Sequence, residues 1–478
     1  MQIPETGLGT NEILSRLKSY KNNDLDWASG KVFGLVYDPG QKATEVIHQA
    51  YTMYLTENGL DPTSFTSLLR LENELVRMTA NLLGGDENVV GNFTSGGTES
   101  IILAVKAARD MKRATKPEIQ APEMILPITA HSSFFKAAHY LAVNPVVVPV
   151  VDEYFQADVA AVKKAITPNT ILIVGSAPSY AHGVVDPITA MGQIALENDL
   201  LFHVDACVGG IHLAYMQQMG YDVPDFNLAV PGVTSLSVDL HKYGYAAKGA
   251  SIVMYKNQEI RRYQMFACSR WTGYTVINPA ITSSKPGGPM AAAWAILHYL
   301  GNEGYRAIVK EVMKATQTAL AGIKKIDGIR VLGKPDMCMF AFASTHEKLN
   351  VFRLADRMKA KGWYLQPQFG RENSPSNLHV SLNYGSRNQA ADMVATLAET
   401  VAEMMQAEPD QSQRDLRAEL DKLAISYDED TFFKLVEMAG ISVTEIPKDM
   451  AEINQLLEVL PYDMSEFLLT EFLNNLMK

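Results

Sequence analysis

Cysteine is scarce: Cys207, Cys268 and Cys338 are the whole complement of a 478-residue chain. An odd, scattered set builds no disulfide framework and has no metal-ligand spacing, so a reducing compartment and no metal site are expected. Long apolar runs are missing too. None approaches the roughly 18 residues of a membrane helix, and Met1–Lys21 opens on polar residues without the apolar centre of a secretory leader. A cytoplasmic protein is the expectation. Basic charge is in deficit, 42 Lys and Arg against 53 Asp and Glu, for a net charge of −11. That balance argues against a nucleic acid or an anionic membrane surface as partner, because both select clustered lysine and arginine. Fixed-period repeats and low-complexity tracts are absent as well. What remains is ordinary globular composition, 47% hydrophobic and 20% charged, in a chain long enough for one large and one small domain.

The most informative stretch is Ser237-Val-Asp-Leu-His-Lys-Tyr-Gly-Tyr-Ala-Ala-Lys-Gly249. An apolar run ends there in His241-Lys242, and a second one, Ser251–Tyr255, follows the glycines. This pattern predicts a strand, a sharp turn and an antiparallel return strand. A lysine at such a turn is either a solvated surface residue or a Schiff-base lysine kept reactive by its surroundings. Upstream, near-continuous Val/Ile/Leu runs at Met124–Thr129, Val146–Val151, Ile171–Ser176, Leu201–Asp205 and Ser235–Asp239 alternate with helical or loop segments. Such runs predict a parallel sheet covered on both faces, with ligands bound beyond the carboxyl ends of its strands. Polar residues stand at those ends: His131, Ser176, Asp205 and Lys242.

Asn92–Ser100 carries Gly96-Gly97-Thr98 directly ahead of the helical pattern Ile101–Arg109. The exposed N–H groups and dipole of such a junction suit a phosphate, although the same residues also serve as a plain helix cap. His131 reads equally as a structural histidine. Asp205 closes a buried apolar strand, so its charge needs a partner, either a helix N-terminus or a protonated ring nitrogen. Ahead of these, residues 1–90 form a helical and loop segment, with an apolar stripe from Leu68 to Met78 and irregular stretches, Ala28–Gly40 and Asn58–Phe65, that look like covering loops. A large domain is expected over 91–325, ending in a helix from Pro289 to about Lys325. A small α+β domain follows over 326–408, with strands Cys338–Ala343 and Leu378–Asn383 around a helix Asn350–Lys361. Gln406–Arg414 reads as a linker, and 415–478 as a helical extension with a packing or oligomer role.

A phosphate cup, an aromatic ring, a carboxylate and a lysine on successive strand ends are the contacts that pyridoxal 5′-phosphate (PLP) requires. The ordered segments that carry them are Thr94-Ser-Gly-Gly-Thr-Glu-Ser100, His131–Ala138, Val174–Pro178, His203-Val-Asp-Ala-Cys-Val-Gly-Gly210, Pro231–Ser235, His241–Gly249, Trp271–Gly273 and Lys285-Pro-Gly-Gly288. In them the chain, from about residue 28 to 390, resembles the fold-type I, group II decarboxylase superfamily of PLP enzymes, and within it the sphingosine-1-phosphate lyase branch. The resemblance implies an α/β PLP-dependent transferase fold: a mainly parallel sheet domain, a small α+β domain and a helical extension. It further implies that Lys242 carries the cofactor, His131 stacks on its ring, Asp205 pairs with its nitrogen, and Gly97, Thr98 and His241 hold its phosphate, with Ser176 and Gly288 also at the cofactor. A homodimer is implied, in which the Gly287-Gly288 loop reaches the neighbour's site.

The implied reaction breaks a bond from Cα to a second carbon of a small molecule, either an amino-alcohol phosphate or an amino acid that is decarboxylated. A PLP-binding scaffold with weak catalysis is the reading from a different class. For the substrate, Tyr37 and Lys248 match the branch's tyrosine loop and second lysine. Where the branch has Asn-x-Leu-His-Pro, this chain has Asn58-Gly-Leu-Asp-Pro62, and Asp61 in that place would repel a substrate phosphate. The Ser-Ala-Pro loop also departs, as Tyr180-Ala-His-Gly183, and Lys285 replaces an arginine. Tyr37, His182 and Lys248 are the candidate bases for a substrate hydroxyl.

Overall fold

The computed structural model describes residues 2–274, 276–407, 429–438 and 447–477. Its centre is a seven-stranded sheet of β1 (Val90–Thr94), β2 (Glu123–Pro127), β3 (Asn144–Val148), β4 (Thr170–Ser176), β5 (Leu201–Asp205), β6 (Ser235–Val238) and β7 (Ser251–Tyr255), in the order β1-β7-β6-β5-β4-β2-β3. Strands β3, β2, β4, β5 and β6 run parallel, while β7 is antiparallel to both neighbours. Every residue of β4 and β5 is buried, as expected of β-branched and leucine-rich strands covered on both faces. Successive side chains alternate between two cores. Leu172 and Val174 pack under the helices Gly97–Thr115 and Ser133–Leu141, whereas Ile173, Phe202 and Val204 join the larger core with Ile188–Glu197 and Gly210–Gln218.

Two details differ from the sequence pattern. Val90–Thr94, ahead of the glycine pair, is an edge strand hydrogen-bonded to β7, although its Gly91-Asn92 lowers its strand propensity. The third strand begins at Asn144 and ends at Val148; Val150 instead bridges Ala157 in the following turn. The helix expected near residue 290 runs Gly287–Ile323, and its two halves meet at Gly301, where φ is 55° and ψ −176°.

A second sheet, order β10-β11-β13-β12, is wholly antiparallel: β10 Ile329–Leu332, β11 Met339–Ser344, β12 Gln366–Gln368 and β13 Asn377–Ser381. Between the two sheets in sequence lies a hairpin of β8 (Phe266–Cys268) and β9 (Val276–Asn278). The irregular N-terminal stretch covers the small sheet: Phe33 N–H donates to the Tyr364 carbonyl at 3.0 Å, and Ser381 N–H donates to the Phe33 carbonyl at 3.0 Å. That anchorage carries Tyr37 over to the end of the large sheet.

Of the C-terminal extension, the helices Glu429–Met438, Ala451–Val459 and Tyr462–Leu476 are described; most of Gln406–Arg414, expected as a linker, lies outside the described residues. The extension docks on the small sheet's helix Val351–Ala360 by polar contacts. The Asp356 carboxylate accepts from the N–H of Ala451 at 2.8 Å, capping the incoming helix, and Arg353 pairs with Glu452 at 2.9 Å. Among the described residues no helix is long and apolar enough to cross a membrane, and no cluster of His, Cys, Asp and Glu has the makings of a metal site.

Candidate active site

A cavity of about 440 Å³ opens at the carboxyl ends of β4, β5 and β6, facing the first turn of the helix Gly97–Thr115. Its floor is the turn between β6 and β7. Buried tyrosines set that turn: the hydroxyl of Tyr243 donates to the Leu382 carbonyl at 2.8 Å, and that of Tyr305 to the Gly244 carbonyl at 2.7 Å. With the turn held by these hydrogen bonds, Lys242 lines the cavity.

Lys242 Nζ lies 3.0 Å from Asp239 Oδ2, a carboxylate 2% exposed. Burial alone would lower the lysine's pKa; Asp239 foremost, with Cys207, Tyr37 and Asp205, raises it well above the ordinary value. Burial likewise penalises the Asp239 anion, yet Lys242 and His241 outweigh it and hold its carboxyl below the usual range. His241 Nε2 is 3.6 Å from the same oxygen, and its Nδ1 is 2.8 Å from the Ala250 carbonyl.

The opposite wall is the glycine junction. A Cβ on Gly97 would lie 2.8 Å from Cys207 Sγ and 2.9 Å from both Asp239 oxygens, so only glycine lets this backbone approach so closely. The helix's first N–H groups open towards the cavity. Thr98 Oγ1 is 2.8 Å from Ser133 Oγ, which is 2.9 Å from His131 Nδ1. Ser133 N–H donates to that nitrogen at 3.2 Å, which leaves the other ring nitrogen to carry the proton in the neutral form. Burial among the surrounding protein holds the His131 pKa down, against the pull of Asp205. Asp205 itself accepts on Oδ1 from the N–H of Cys207 at 3.0 Å and from Ser237 Oγ at 3.3 Å.

Gly97, Thr98, His131, Ser176, Asp205, His241, Lys242 and Lys248 thus share one cavity. Tyr37 stands beside it, edge-on to Tyr243 at 4.9 Å and under Lys248 Nζ at 5.0 Å from its ring centre. Three expected residues are elsewhere. His182 stacks on Phe155 at 4.1 Å and bonds Ser374 through Nε2 at 2.9 Å. Its neighbour Gly183 is drawn against the small sheet, where a Cβ would fall 2.0 Å from the Met339 carbonyl. His182 is therefore a packing residue and is removed from the candidate bases. Asp61 caps its own exposed turn, accepting from Thr63 N–H at 2.8 Å and Thr63 Oγ1 at 2.6 Å; these bonds lower its pKa. Gly288, second in the helix Gly287–Ile323, packs on the Tyr51 ring, where a Cβ would lie at 2.9 Å; it is away from this chain's own cavity, and the expectation for its loop is the neighbour's.

Asp239 and Tyr180, both on the cavity wall, escaped the sequence reading. Like Asp205, Asp239 is a carboxylate at the end of a buried strand and so needs a partner for its charge. Tyr180 had no such signal, because its place depends on stacking against His379 at 4.2 Å from the other sheet.

The cavity suits PLP on its own chemistry. Among the described residues, two buried wall atoms, Ser176 Oγ and Asp239 Oδ1, have no hydrogen-bond partner; the glycine junction offers N–H donors to a phosphate, Asp205 a carboxylate to a ring cation, and Lys242 an amine to an aldehyde. Comparison with known proteins agrees. Residues 26–345 match the pyridoxal-dependent decarboxylase conserved domain, and residues 395–475 a C-terminal HTH domain of pyridoxal-dependent enzymes. The chain is 42% identical over 415 residues to sphingosine-1-phosphate lyase of Arabidopsis thaliana, covering 85% of this chain and 74% of that one. It is 36% identical to L-aspartate decarboxylase of Thermococcus kodakarensis, over 76% of this chain and 90% of the relative. The solved structure of a Burkholderia pseudomallei sphingosine-1-phosphate lyase superposes with a TM-score of 0.79 at 34% identity, covering 85% of this chain and 92% of that one. Fold, cavity and relatives together place this chain in the pyridoxal-dependent decarboxylase family, as a lyase whose cofactor is pyridoxal 5′-phosphate.

Proposed function

We propose that the protein cleaves the bond from Cα to a second carbon in a phosphorylated amino alcohol, releasing an aldehyde, and works as a homodimer. PLP, when bound, supplies an electron sink for the pair left at Cα. With PLP bound, Lys242 would hold the cofactor covalently and release it to the substrate amine; Asp239 would pair with the ammonium of the released lysine, and Asp205 would pair with the ring nitrogen. His131 would cover the ring face, Gly97, Thr98 and His241 would take the phosphate, and Ser176 would add a hydroxyl.

The observation that carries the substrate class is Lys248. It faces the same cavity and, among the described residues, forms no ion pair; its Nζ donates to the Leu35 carbonyl at 3.0 Å. A cation so placed suits a substrate anion. Desolvation foremost, and then Lys242, lowers its pKa, the direction that suits a base for the substrate hydroxyl in its neutral form. Tyr37, whose phenol burial pushes up to about 12, keeps its proton and serves as a hydrogen-bond donor. Lys248→Arg should separate the roles. Charge is retained and the base is lost, so KM is expected to stay within about threefold while kcat falls roughly 10²–10⁴-fold. A proportional rise in KM with kcat intact would leave only the anion-binding role.

Dimerisation is supported by apolar side chains on the β8–β9 hairpin, Phe266 at 57%, Trp271 at 50% and Ile277 at 60% exposure. In a dimer the Gly288 and Asp61 loops, joined by the Gly59 N–H donating to the Lys285 carbonyl at 2.8 Å, are the ones that would reach the neighbour's cavity. Decarboxylation of an acidic amino acid is the second reading, favoured by the aspartate decarboxylase likeness, with Lys248 then facing a side-chain carboxylate. Incubating the PLP-loaded enzyme with sphingosine phosphate, phosphoethanolamine and an amino-acid panel, and scoring aldehyde and CO₂ separately, decides between them. Aldehyde is expected; CO₂ without aldehyde overturns the proposal.

A further inference from the structure

His203 and Asp205 are two residues apart on β5, so their side chains leave the same face. In the parallel register their neighbours on β6 are Ser235 and Ser237. His203 is fully buried and bridges the serines: Nδ1 lies 2.9 Å from Ser235 Oγ, and Nε2 3.1 Å from Ser237 Oγ. Ser237 Oγ lies 3.3 Å from Asp205 Oδ1 and 3.2 Å from Cys207 Sγ.

Counting donors fixes the direction of this chain. The Ser237 hydroxyl donates its single proton to Asp205 Oδ1. The two Ser237 lone pairs then take the Cys207 S–H and the His203 Nε2–H. Burial holds the His203 pKa down at about 4, so the ring is neutral; with Nε2 protonated, Nδ1 must accept, and Ser235 donates to it. Every donor points towards the carboxylate. Hydrogen bonds aligned head to tail polarise one another in a dry interior, which strengthens the last of them. A histidine buried merely as packing would be satisfied by any two partners, whereas this one ends its chain on the carboxylate that lines the cofactor cavity.

We infer that His203 and Ser237 are positioning residues for Asp205, occupying Oδ1 with an aligned hydrogen-bond relay so that Oδ2 is presented, as part of an anion, to the ring nitrogen of PLP. Among the described residues no hydrogen bond falls on Oδ2, in keeping with that division. The inference rests on Asp205 being the ring nitrogen's partner, as proposed above.

The test uses the full chain in three measurements. In the cofactor-free protein, selective ¹⁵N-histidine labelling should show His203, assigned by its loss in His203→Gln, as the Nε2–H tautomer; the Nδ1–H tautomer overturns the relay. In protein loaded with ring-¹⁵N-labelled PLP, Ser237→Ala and His203→Leu should move the ring nitrogen towards its unprotonated position and raise the PLP dissociation constant about tenfold. His203→Gln, which keeps a donor where Nε2 was, should restore both to within about twofold. A wild-type ring signal in Ser237→Ala, or a His203→Gln no better than His203→Leu, sinks the inference. Should His203→Leu not fold, Ser237→Ala and the tautomer decide alone. Asp205→Asn is the control for the underlying reading: if it leaves the ring signal unchanged, Asp205 is not the nitrogen's partner, and that failure is distinct from failure of the relay.

Discussion

Lys242→Ala is expected to lower kcat by more than about 10⁴-fold, the scale on which covalent catalysis is lost when its nucleophile is removed. The visible absorbance of the bound cofactor should disappear with it, and added PLP should not restore turnover. A second effect follows from Asp239. Its carboxylate is 2% exposed and 3.0 Å from the lysine; stripped of that cation, it keeps, among the described residues, only His241 Nε2 at 3.6 Å as an ionic partner. Breaking such a pair from one side destabilises by about 3 kcal/mol or more, so the cofactor-free variant should unfold at lower denaturant than the parent. Adding Asp239→Asn should recover part of that stability and none of the turnover. A Lys242→Ala protein that still turns over amino-alcohol phosphates would refute the assignment of this lysine.

Gly97→Val should weaken PLP binding roughly a hundredfold while leaving the protein folded. The new Cβ would meet Cys207 Sγ at 2.8 Å and the two Asp239 oxygens at 2.9 Å, and neither neighbour is free to retreat. Cys207 is held by Ser237, and Asp239 by Lys242. Overpacking of this kind costs about 3 kcal/mol, which as a loss of cofactor affinity is roughly a hundredfold. Equilibrium titration with PLP, with circular dichroism as the check on folding, measures it. Because the clash bears on the loop that receives the phosphate, pyridoxal without its phosphate should lose far less affinity than PLP. Equal losses for both would mean that the junction does not serve the phosphate.

The central strands were readable because burial on both faces demands unbroken apolar runs, and Leu201–Asp205 and Ser251–Tyr255 coincide with β5 and β7 to the residue. The glycine junction and the lysine turn were readable for a related reason: each needs special backbone chemistry within a dozen residues, and local chemistry is written locally. Edge strand β1 was not, since its pairing with β7 joins segments about 160 residues apart and its own composition is indifferent.

The sequence by itself therefore determined the central strands, the turn that offers Lys242 and the type of residue at each strand end. Only the tertiary structure decided which polar groups meet. It brought Asp239 to Lys242, joined His203 to Asp205 through a serine on the adjacent strand, and buried His182 against Phe155 instead of the cavity. The physical reason is one of range. Backbone preference and apolar periodicity act between near neighbours in the chain, whereas a hydrogen bond or an ion pair acts over about 3 Å of space, and that distance is set by how strands and helices from remote segments pack.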